Sequence, residues 1–521
     1  MHFHTLSADF VNRNMPTVDQ HSDMIRTLLS LIVACILLSC NETQTTGEPD
    51  EMPNVVIIFV DDMGYADLGS YGAADYTTPH LDRMADEGVR FTSFYVSQPV
   101  CSASRASLLT GSYSNRIGIH GALGPSNTHG IHDDEVTLGE LFKSKGYATA
   151  MYGKWHLGHH PEFLPTRHGF DDFYGIPYSN DMWPYHPENP EAWEDLPTIK
   201  DEETVGFNMD QSRFTTDFTN RAVDFIERST AQETPFFLYV AHPMPHVPLS
   251  VSREREGESR AGLYGDVIKE LDWSAGEILN AIRETGVDEN TLVMFASDNG
   301  PWMSYGNHAG SAEPLREGKG TVFEGGVRVP FIARWPGTIP DGLEVSTPAM
   351  TIDVFPTLAG LIKADLPEHT IDGKSIWPLI TGEAAVSPQE AYYFYYHENE
   401  LHAMRSGKWK LHFPHTYRTM IGQEPGKDGI PGKYDNTAEI GLALYDLERD
   451  ISESNDLSSE YPDVVEELSR MANAKRSELG DALTGVVGTG LRERGKVGSS
   501  IDAMADTLKP GYRARLSRAR P

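Results

Sequence analysis

The chain has 521 residues, of which 43 are Lys or Arg and 76 are Asp or Glu, for a formal net charge of −33. That balance argues against nucleic acid or an anionic membrane face as the main partner. Hydrophobic residues make up 39 % and glycines number 47, a globular composition that can build a large core and that argues against long disorder. Three cysteines, Cys35, Cys40 and Cys101, are too few for a disulfide scaffold in a chain of this size.

Residues 24–40 read MIRTLLSLIVACILLSC, one positive charge at Arg26 followed by an apolar run from Leu28 to Leu38. The run is shorter than the about 20 apolar residues that span a bilayer, so it is expected to be an export signal. Leu37-Leu38-Ser39-Cys40 resembles a bacterial lipobox, in which the cysteine is lipidated and becomes the new amino terminus. The alternative is an ordinary cleaved signal with a chance cysteine. Residues 1–23 contain Asp9, Asp19 and Asp23 and do not look like a signal's start, so Met24 is the candidate initiator. The expected location is the bacterial cell envelope with Cys40 as lipid anchor, and otherwise the periplasm or the medium. Residues 41–52 are polar and read as a flexible tether.

Short apolar runs bounded by glycine, proline or charge follow: Val55–Val60, Ala148–Tyr152, Phe236–Val240, Leu292–Ala296 and Val329–Ala333. They have the length and composition of buried parallel strands. Between them, Pro79–Val89, Leu138–Lys145, Thr216–Glu227 and Asp266–Thr285 carry apolar residues at helical spacing. The alternation predicts an α/β fold, a large doubly wound mixed sheet flanked by helices, over residues 53–385. The acidic stretch Pro187–Glu203 reads as an exposed insertion. From Tyr392 the runs become short and alternating (Tyr392–His397, Leu401–Ser406, Trp409–His412) and Pro462–Leu479 is amphipathic. A smaller α+β domain with an antiparallel sheet is therefore expected over residues 386–490. Residues 491–521, with eight Lys or Arg against three acids, read as a basic tail.

The chemistry collects where the strands end. Val55–Val60 runs into Asp61-Asp62, and Leu292–Ala296 into Ser297-Asp298-Asn299. Oxygen donors of this kind suit Ca²⁺ or Mg²⁺ better than zinc; each pair alone could equally cap a helix or a turn. Ala148–Tyr152 leads to Lys154 and His156, Phe236–Val240 to His242 and His246, and Lys319 lies in a glycine-rich loop before Phe323. In an open α/β sheet the carboxyl ends of the strands line one crevice. Acids, histidines and lysines at that edge would make a metal-containing pocket for a tetrahedral anion. Cys101 opens a segment in which Ser102 and Ser104 are candidate caps of a helix ending at Gly111. A helix amino terminus is a place for an anion or an activated nucleophile, though the bland reading of Cys101 is a buried small hydrophobe.

Taken together, these segments resemble the formylglycine-dependent sulfatases of the alkaline phosphatase superfamily. Their signature Cys-x-Pro/Ala-x-Arg, with a leucine-threonine-glycine element after it, stands here as Cys101, Ala103, Arg105 and Leu109-Thr110-Gly111. The resemblance continues through NVVIIFVDDMGYADLGSYG, YGKWHLG, PHVP, SDNG and GKGTVFEGGVRVPFIARWPG. Ala103 replaces the commoner proline, and Ser112 stands where a basic residue is frequent, which bears on recognition by the modifying enzyme.

The resemblance implies that Cys101 is converted to formylglycine (3-oxoalanine) by a formylglycine-generating or anaerobic sulfatase-maturating enzyme. One hydroxyl of the hydrated aldehyde attacks the sulfate ester, and the second then expels sulfate and restores the aldehyde. One Ca²⁺ is expected at Asp61, Asp62, Asp298, Asn299 and residue 101. Asp298 accepts the attacking proton, Arg105 and Lys154 orient the diol, and His156 takes the second hydroxyl's proton. His246, which matches the family's Pro-His-x-Pro histidine, binds sulfate with Lys319 and protonates the leaving oxygen. His242 is left with a substrate-side or packing role.

Nothing in this set selects the alcohol. The aromatic- and histidine-rich segments His156–Tyr185 and Tyr392–His415 could build sugar subsites or simply pack. A sulfated carbohydrate is the expected substrate. Two other readings are a phosphatase or phosphodiesterase of the same superfamily, which would normally present Ser or Thr as nucleophile, and a glycan-binding surface lipoprotein with a degenerate site.

Overall fold

A computed structural model describes residues 52–190 and 192–497. The signal and lipidation segment, including Cys40, and the tether up to residue 51 lie outside the described residues, as does most of the basic tail.

The strands are, in chain order, β1 (Asn54–Val60), β2 (Val89–Tyr95), β3 (His129–Gly130), β4 (Ala148–Lys154), β5 (Asp172–Ile176), β6 (Pro197–Lys200), β7 (Glu203–Phe207), β8 (Phe236–Ala241), β9 (Thr291–Ser297), β10 (Arg328–Arg334), β11 (Leu343–Val345), β12 (Ala349–Met350), β13 (Tyr392–Tyr396), β14 (Glu400–Ser406), β15 (Trp409–His412), β16 (His415–Thr419), β17 (Asp435–Ile440), β18 (Ala443–Asp446) and β19 (Gly495–Lys496). Eleven of them form one mixed sheet in the order β11-β2-β10-β9-β1-β8-β4-β5-β6-β7, with β12 on β2. The helices that cover it are α1 (Pro79–Asp86), α2 (Cys101–Thr110), α3 (Leu138–Ser144), α4 (Phe214–Ala231) and α5 (Gly262–Glu284).

The central strand shows why the sheet needs two covers. β1 is NVVIIFV and buried throughout; Val55, Ile57 and Phe59 belong to one apolar cluster, Val56, Ile58 and Val60 to the other. Alternate residues point to opposite faces, so a run apolar at every position must be roofed on both. Leu108 and Leu109 of α2 with Leu138, Leu141 and Phe142 of α3 cover the first face. Leu81 and Met84 of α1, Phe218 and Ile226 of α4, and Ile268, Leu271 and Ile278 of α5 cover the second. Each such side chain contributes about 1.5–3 kcal/mol on burial.

The α/β expectation is met, with corrections. Val329–Ala333 lies in β10, which is antiparallel to both neighbours, β9 and β2. The helix expected to reach Val89 stops at Asp86, and Val89 opens β2. The acidic stretch is only partly an exposed insertion: Leu196, Pro197, Thr198 and Ile199 are buried, and β6 pairs antiparallel with β5 to extend the sheet. Lys200 and Glu203, at the turn of the hairpin, are exposed while Pro197–Ile199 pack inward, a pattern that net charge over a window hides.

The antiparallel sheet expected near the carboxyl end is β13-β14-β15-β18, and the helix at Pro462–Leu479 ends at its expected residue. Its core is continuous with the first apolar cluster, to which Tyr392, Phe394, Leu401, Met404 and Leu411 belong. Most of Tyr392–His415 is therefore packing, not an open subsite. The start of the basic tail is also docked: β19 pairs with β3, and Arg492 donates to both carboxylate oxygens of Glu135 at 2.6 and 2.7 Å.

Candidate active site

Register brings the two acidic strand ends side by side. Val60 of β1 pairs with Ser297 of β9, so Asp61-Asp62 and Asp298-Asn299 leave the sheet together. The Asp298 N–H donates to Val60 O (3.0 Å) and the Asp62 N–H to Asp298 Oδ1 (3.2 Å). Asp62 holds φ +64°, a left-handed conformation uncommon outside glycine. β4 delivers Lys154 and then His156, also at φ +64°. Gly153 precedes them because a Cβ there would lie 1.9 Å from Ala241 O of β8.

The nucleophile candidate sits at the first turn of α2, every residue of which is buried. Cys101 Sγ donates to Asp61 Oδ1 at 3.2 Å and accepts from Lys319 Nζ at 3.3 Å. Arg105, one turn on, donates Nε and Nη2 to Asp298 Oδ2 (3.0 and 2.8 Å) and Nη2 also to Asp61 Oδ2 (3.0 Å). Lys154 Nζ pairs with Asp61 Oδ2, and Lys319 Nζ with Asp62 Oδ1 at 2.7 Å. His246 Nε2 lies 3.6 Å from Asp62 Oδ2, and its Nδ1 is 2.6 Å from Val247 O. Three cations thus face three carboxylates around one thiol.

The charges shape one another. Burial alone would raise Asp61, but Lys154 and Arg105 outweigh it and hold that carboxyl well below the usual range. Asp298 goes the other way, pushed up to about 7 by burial and by the neighbouring Asp61 charge despite Arg105. Burial and Asp61 raise the Cys101 thiol well above its ordinary value. Burial, Lys154 and Arg105 keep His156 neutral by pushing it well down. His246 is lowered by burial and Lys319.

A hard cation fits this donor set. Asp62 Oδ2 and Asn299 Oδ1 are buried acceptors without a hydrogen-bond partner, beside the carboxylates of Asp61 and Asp298. Buried acceptors in native proteins are normally satisfied, and all-oxygen sets are those that Ca²⁺ and Mg²⁺ take. Ligand atoms of Asp61, Asp62, Cys101 and His246 lie within 4.8 Å of one another. His246 was expected to bind substrate; Asp298, expected among the ligands, stands outside that tight group, and its Oδ2 accepts from Arg105.

The structure thus gathers Asp61, Asp62, Cys101, Arg105, Lys154, His156, His246, Asp298, Asn299 and Lys319. Of the two roles open to His242, the geometry is that of packing: its Nε2 is 3.0 Å from Ser274 Oγ of α5, its ring lies beside Phe218 of α4, and burial pushes it down to about 3. It packs between sheet and helices. The capping serines are a correction. α2 begins at Cys101 behind an extended Val100, with no side-chain cap; Ser102 Oγ accepts from the Leu123 N–H (2.9 Å) instead.

Three residues were missed. Ser179 Oγ accepts from Lys154 Nζ at 3.0 Å; it follows β5, a strand too short and glycine-broken to stand out in sequence. The half-exposed Trp302 ring lies 4.7 Å from Lys319 Nζ and 5.5 Å from the His246 ring. Arg418 donates to the Lys319 carbonyl from β16, and no local signal marks it.

A doubly wound sheet whose edge gathers buried carboxylates and cations around a helix-borne thiol has the chemistry to hold and act on an anionic ester. A sulfatase family model matches residues 53–364, a model for the C-terminal region of aryl-sulfatase residues 387–486, and one for the C-terminal part of N-sulphoglucosamine sulphohydrolase residues 318–414. The chain is 38 % identical to arylsulfatase A of Bos taurus over 434 residues, 80 % of this chain and 85 % of the relative. It is 37 % identical to N-acetylgalactosamine-6-sulfatase of Canis lupus familiaris over 482 residues, 85 % of this chain and 89 % of the relative. Among solved structures it is similar to one from work on glycosaminoglycan metabolism by Bacteroides thetaiotaomicron, with TM-score 0.70, 28 % identity, and coverage of 82 % of this chain and 100 % of that one. The chain belongs to the sulfatase family of the alkaline phosphatase superfamily and is a sulfuric ester hydrolase.

Proposed function

We propose that the protein removes sulfate from sulfated carbohydrates, with formylglycine made from Cys101 as nucleophile and one Ca²⁺ held by Asp61, Asp62, Asp298 and Asn299. The observation that carries this reading is the setting of Cys101, buried at a helix start between Asp61 Oδ1 and Lys319 Nζ and beside the two unpartnered acceptors of Asp62 and Asn299. When present, the hydrated aldehyde supplies a nucleophilic hydroxyl and the ion compensates the sulfate's charge.

The chain's own residues do the rest. Arg105 and Lys154 fix the geometry at position 101 and offset negative charge there. Asp298, whose Oδ2 is fixed by the Arg105 guanidinium, accepts a proton at a carboxylate oxygen. His156 is buried with neither ring nitrogen in a hydrogen bond, and as a neutral imidazole it has one unprotonated nitrogen that can accept a proton. His246 and Lys319 grip the sulfate and give a proton to the departing oxygen.

Support for a carbohydrate comes from the relatives' names: one is an N-acetylgalactosamine-6-sulfatase, and one similar structure comes from work on glycosaminoglycans. The lipobox-like Leu37–Cys40 supports export and anchoring at the cell envelope; loss of fatty-acid labelling in Cys40→Ser tests it.

The function is tested by sulfate release from a panel of sulfated saccharides, with Cys101→Ala as control, and by mass analysis of the peptide around position 101. Calcium-dependent release, abolished by the substitution, and an aldehyde at position 101 are expected. An unmodified thiol in fully active enzyme refutes the nucleophile.

A further inference from the structure

Lys319 is carried by a loop rather than by a strand end, so its position needs an outside reference. That reference comes from the hairpin β16–β17. Arg418 Nε donates to the Lys319 carbonyl at 2.9 Å, and Nη2 donates to the same oxygen. The guanidinium is itself held over the Tyr434 ring, 4.5 Å from its centroid, and lies 5.8 Å from that of Trp302. Trp302 is also the ring beneath Lys319 Nζ. Gly320 leaves room for this contact: it sits at φ +79°, and a Cβ there would fall 2.5 Å from Arg418 Cζ.

The same hairpin grips the loop on the amino side of Lys319. Tyr417 OH accepts from Arg316 Nη2 (2.9 Å), and Thr419 Oγ1 donates to Glu317 Oε1 (2.6 Å). A planar fork on one carbonyl restricts both the position and the tilt of the peptide that carries the Lys319 side chain.

We propose that Arg418 is a positioning residue for departure of the alcohol: its fork on the Lys319 carbonyl aims Nζ at the oxygen that leaves the sulfate. This rests on the reading of Lys319 given under Proposed function.

Loss of protonation at the leaving oxygen is felt most where that oxygen is most basic. The test is kcat/KM for phenyl sulfate and for the better leaving group of 4-nitrophenyl sulfate, with mature wild-type enzyme, Arg418→Met, Arg418→Lys and Lys319→Ala. In Arg418→Met, phenyl sulfate hydrolysis should fall roughly 100-fold and 4-nitrophenyl sulfate hydrolysis less than about tenfold. Arg418→Lys, which keeps a donor for the carbonyl, should recover part of the difference. If Arg418→Met fails to fold, Gly320→Ala, which presses a Cβ onto the guanidinium, carries the same comparison. Equal falls on both substrates, or no fall, with a discriminating Lys319→Ala, overturn the inference alone. A Lys319→Ala enzyme that does not discriminate removes the role of Lys319 and the inference with it.

Discussion

At position 101 a side chain two heavy atoms long is wedged between Asp61, Lys319 and the first turn of α2, so its chemistry can be altered without altering its fit. Serine has nearly the volume of cysteine and should fold there with its melting temperature unchanged. If formylglycine is the nucleophile, as proposed, a serine left unoxidised offers only a plain hydroxyl, and sulfate release by Cys101→Ser should drop about 10⁴-fold or more, the scale of losing a covalent nucleophile. Ordinary turnover by that variant would mean that a plain hydroxyl suffices. Asp62 and His156 make a second point at this scale. Both hold positive φ, a strain of about 1–3 kcal/mol for a residue with a Cβ, sustained here by the strand packing around them.

Among the secondary elements, β14, β15 and β16 bury a column of imidazoles. The His402 and His415 rings stack at 3.9 Å, and His412 follows at 5.9 Å from His415. Burial, then the neighbouring imidazoles, push His415 down to about 2, and burial lowers His402 despite its bond to Glu400. Since the folded protein refuses protons that the unfolded chain accepts, stability is full above about pH 6.5 and declines as pH falls below it. From pH 6.5 to 5, His415 alone should withdraw about 2 kcal/mol, with His402 adding in the same direction. Melting curves across this range should show the decline, and His415→Gln should flatten it. A pH-independent melting temperature would show that the column is hydrated and titrates freely.

Over the whole molecule, the Lys319 loop and the carboxyl-terminal sheet are joined by buried ions. Lys410 Nζ, fully buried on β15, donates to Glu324 Oε1 (2.8 Å) and Val322 O (2.7 Å) and pairs with Glu453 Oε1 (3.1 Å). Arg328 Nη1 meets the same Glu324 at 3.2 Å. Lys410→Met would leave two buried carboxylates short of a partner and should cost about 3–5 kcal/mol in chemical denaturation. Adding Glu453→Gln should recover part of that loss, because the two effects share one network. A loss below about 1 kcal/mol, the value of an exposed pair, would mean that water reaches the network. Net charge acts over a longer range. At −33 the protein repels a polyanionic substrate until salt screens it, and the screening length is about 10 Å at 0.1 M. For a sulfated oligosaccharide, kcat/KM should therefore rise several-fold, roughly, between low and physiological ionic strength; a steady fall with salt would show that the local cations of the site dominate.

What local sequence determines here is what one segment can state alone. Val55–Val60 is apolar at every position and so must be a strand buried on both faces. The polar residues just past it, and past β4, β8 and β9, then fall at one sheet edge, since parallel strands share a direction. Cys101 with Arg105 follows from helical spacing, which puts them one turn apart. Tertiary structure alone decided the rest, because those contacts join residues far apart in the chain. It sent His242 into the packing against Ser274 and His246 into the site, although only three residues separate them. It turned β10 antiparallel, buried the aromatic residues of β13, and brought Arg418 to Lys319 across 99 positions. Arg492 reaches Ser112, at 3.2 Å, across 380. That contact places a cation beside the position where sequence alone showed only a missing basic residue. Periodicity records which face of a segment is buried, but not which distant segment buries it.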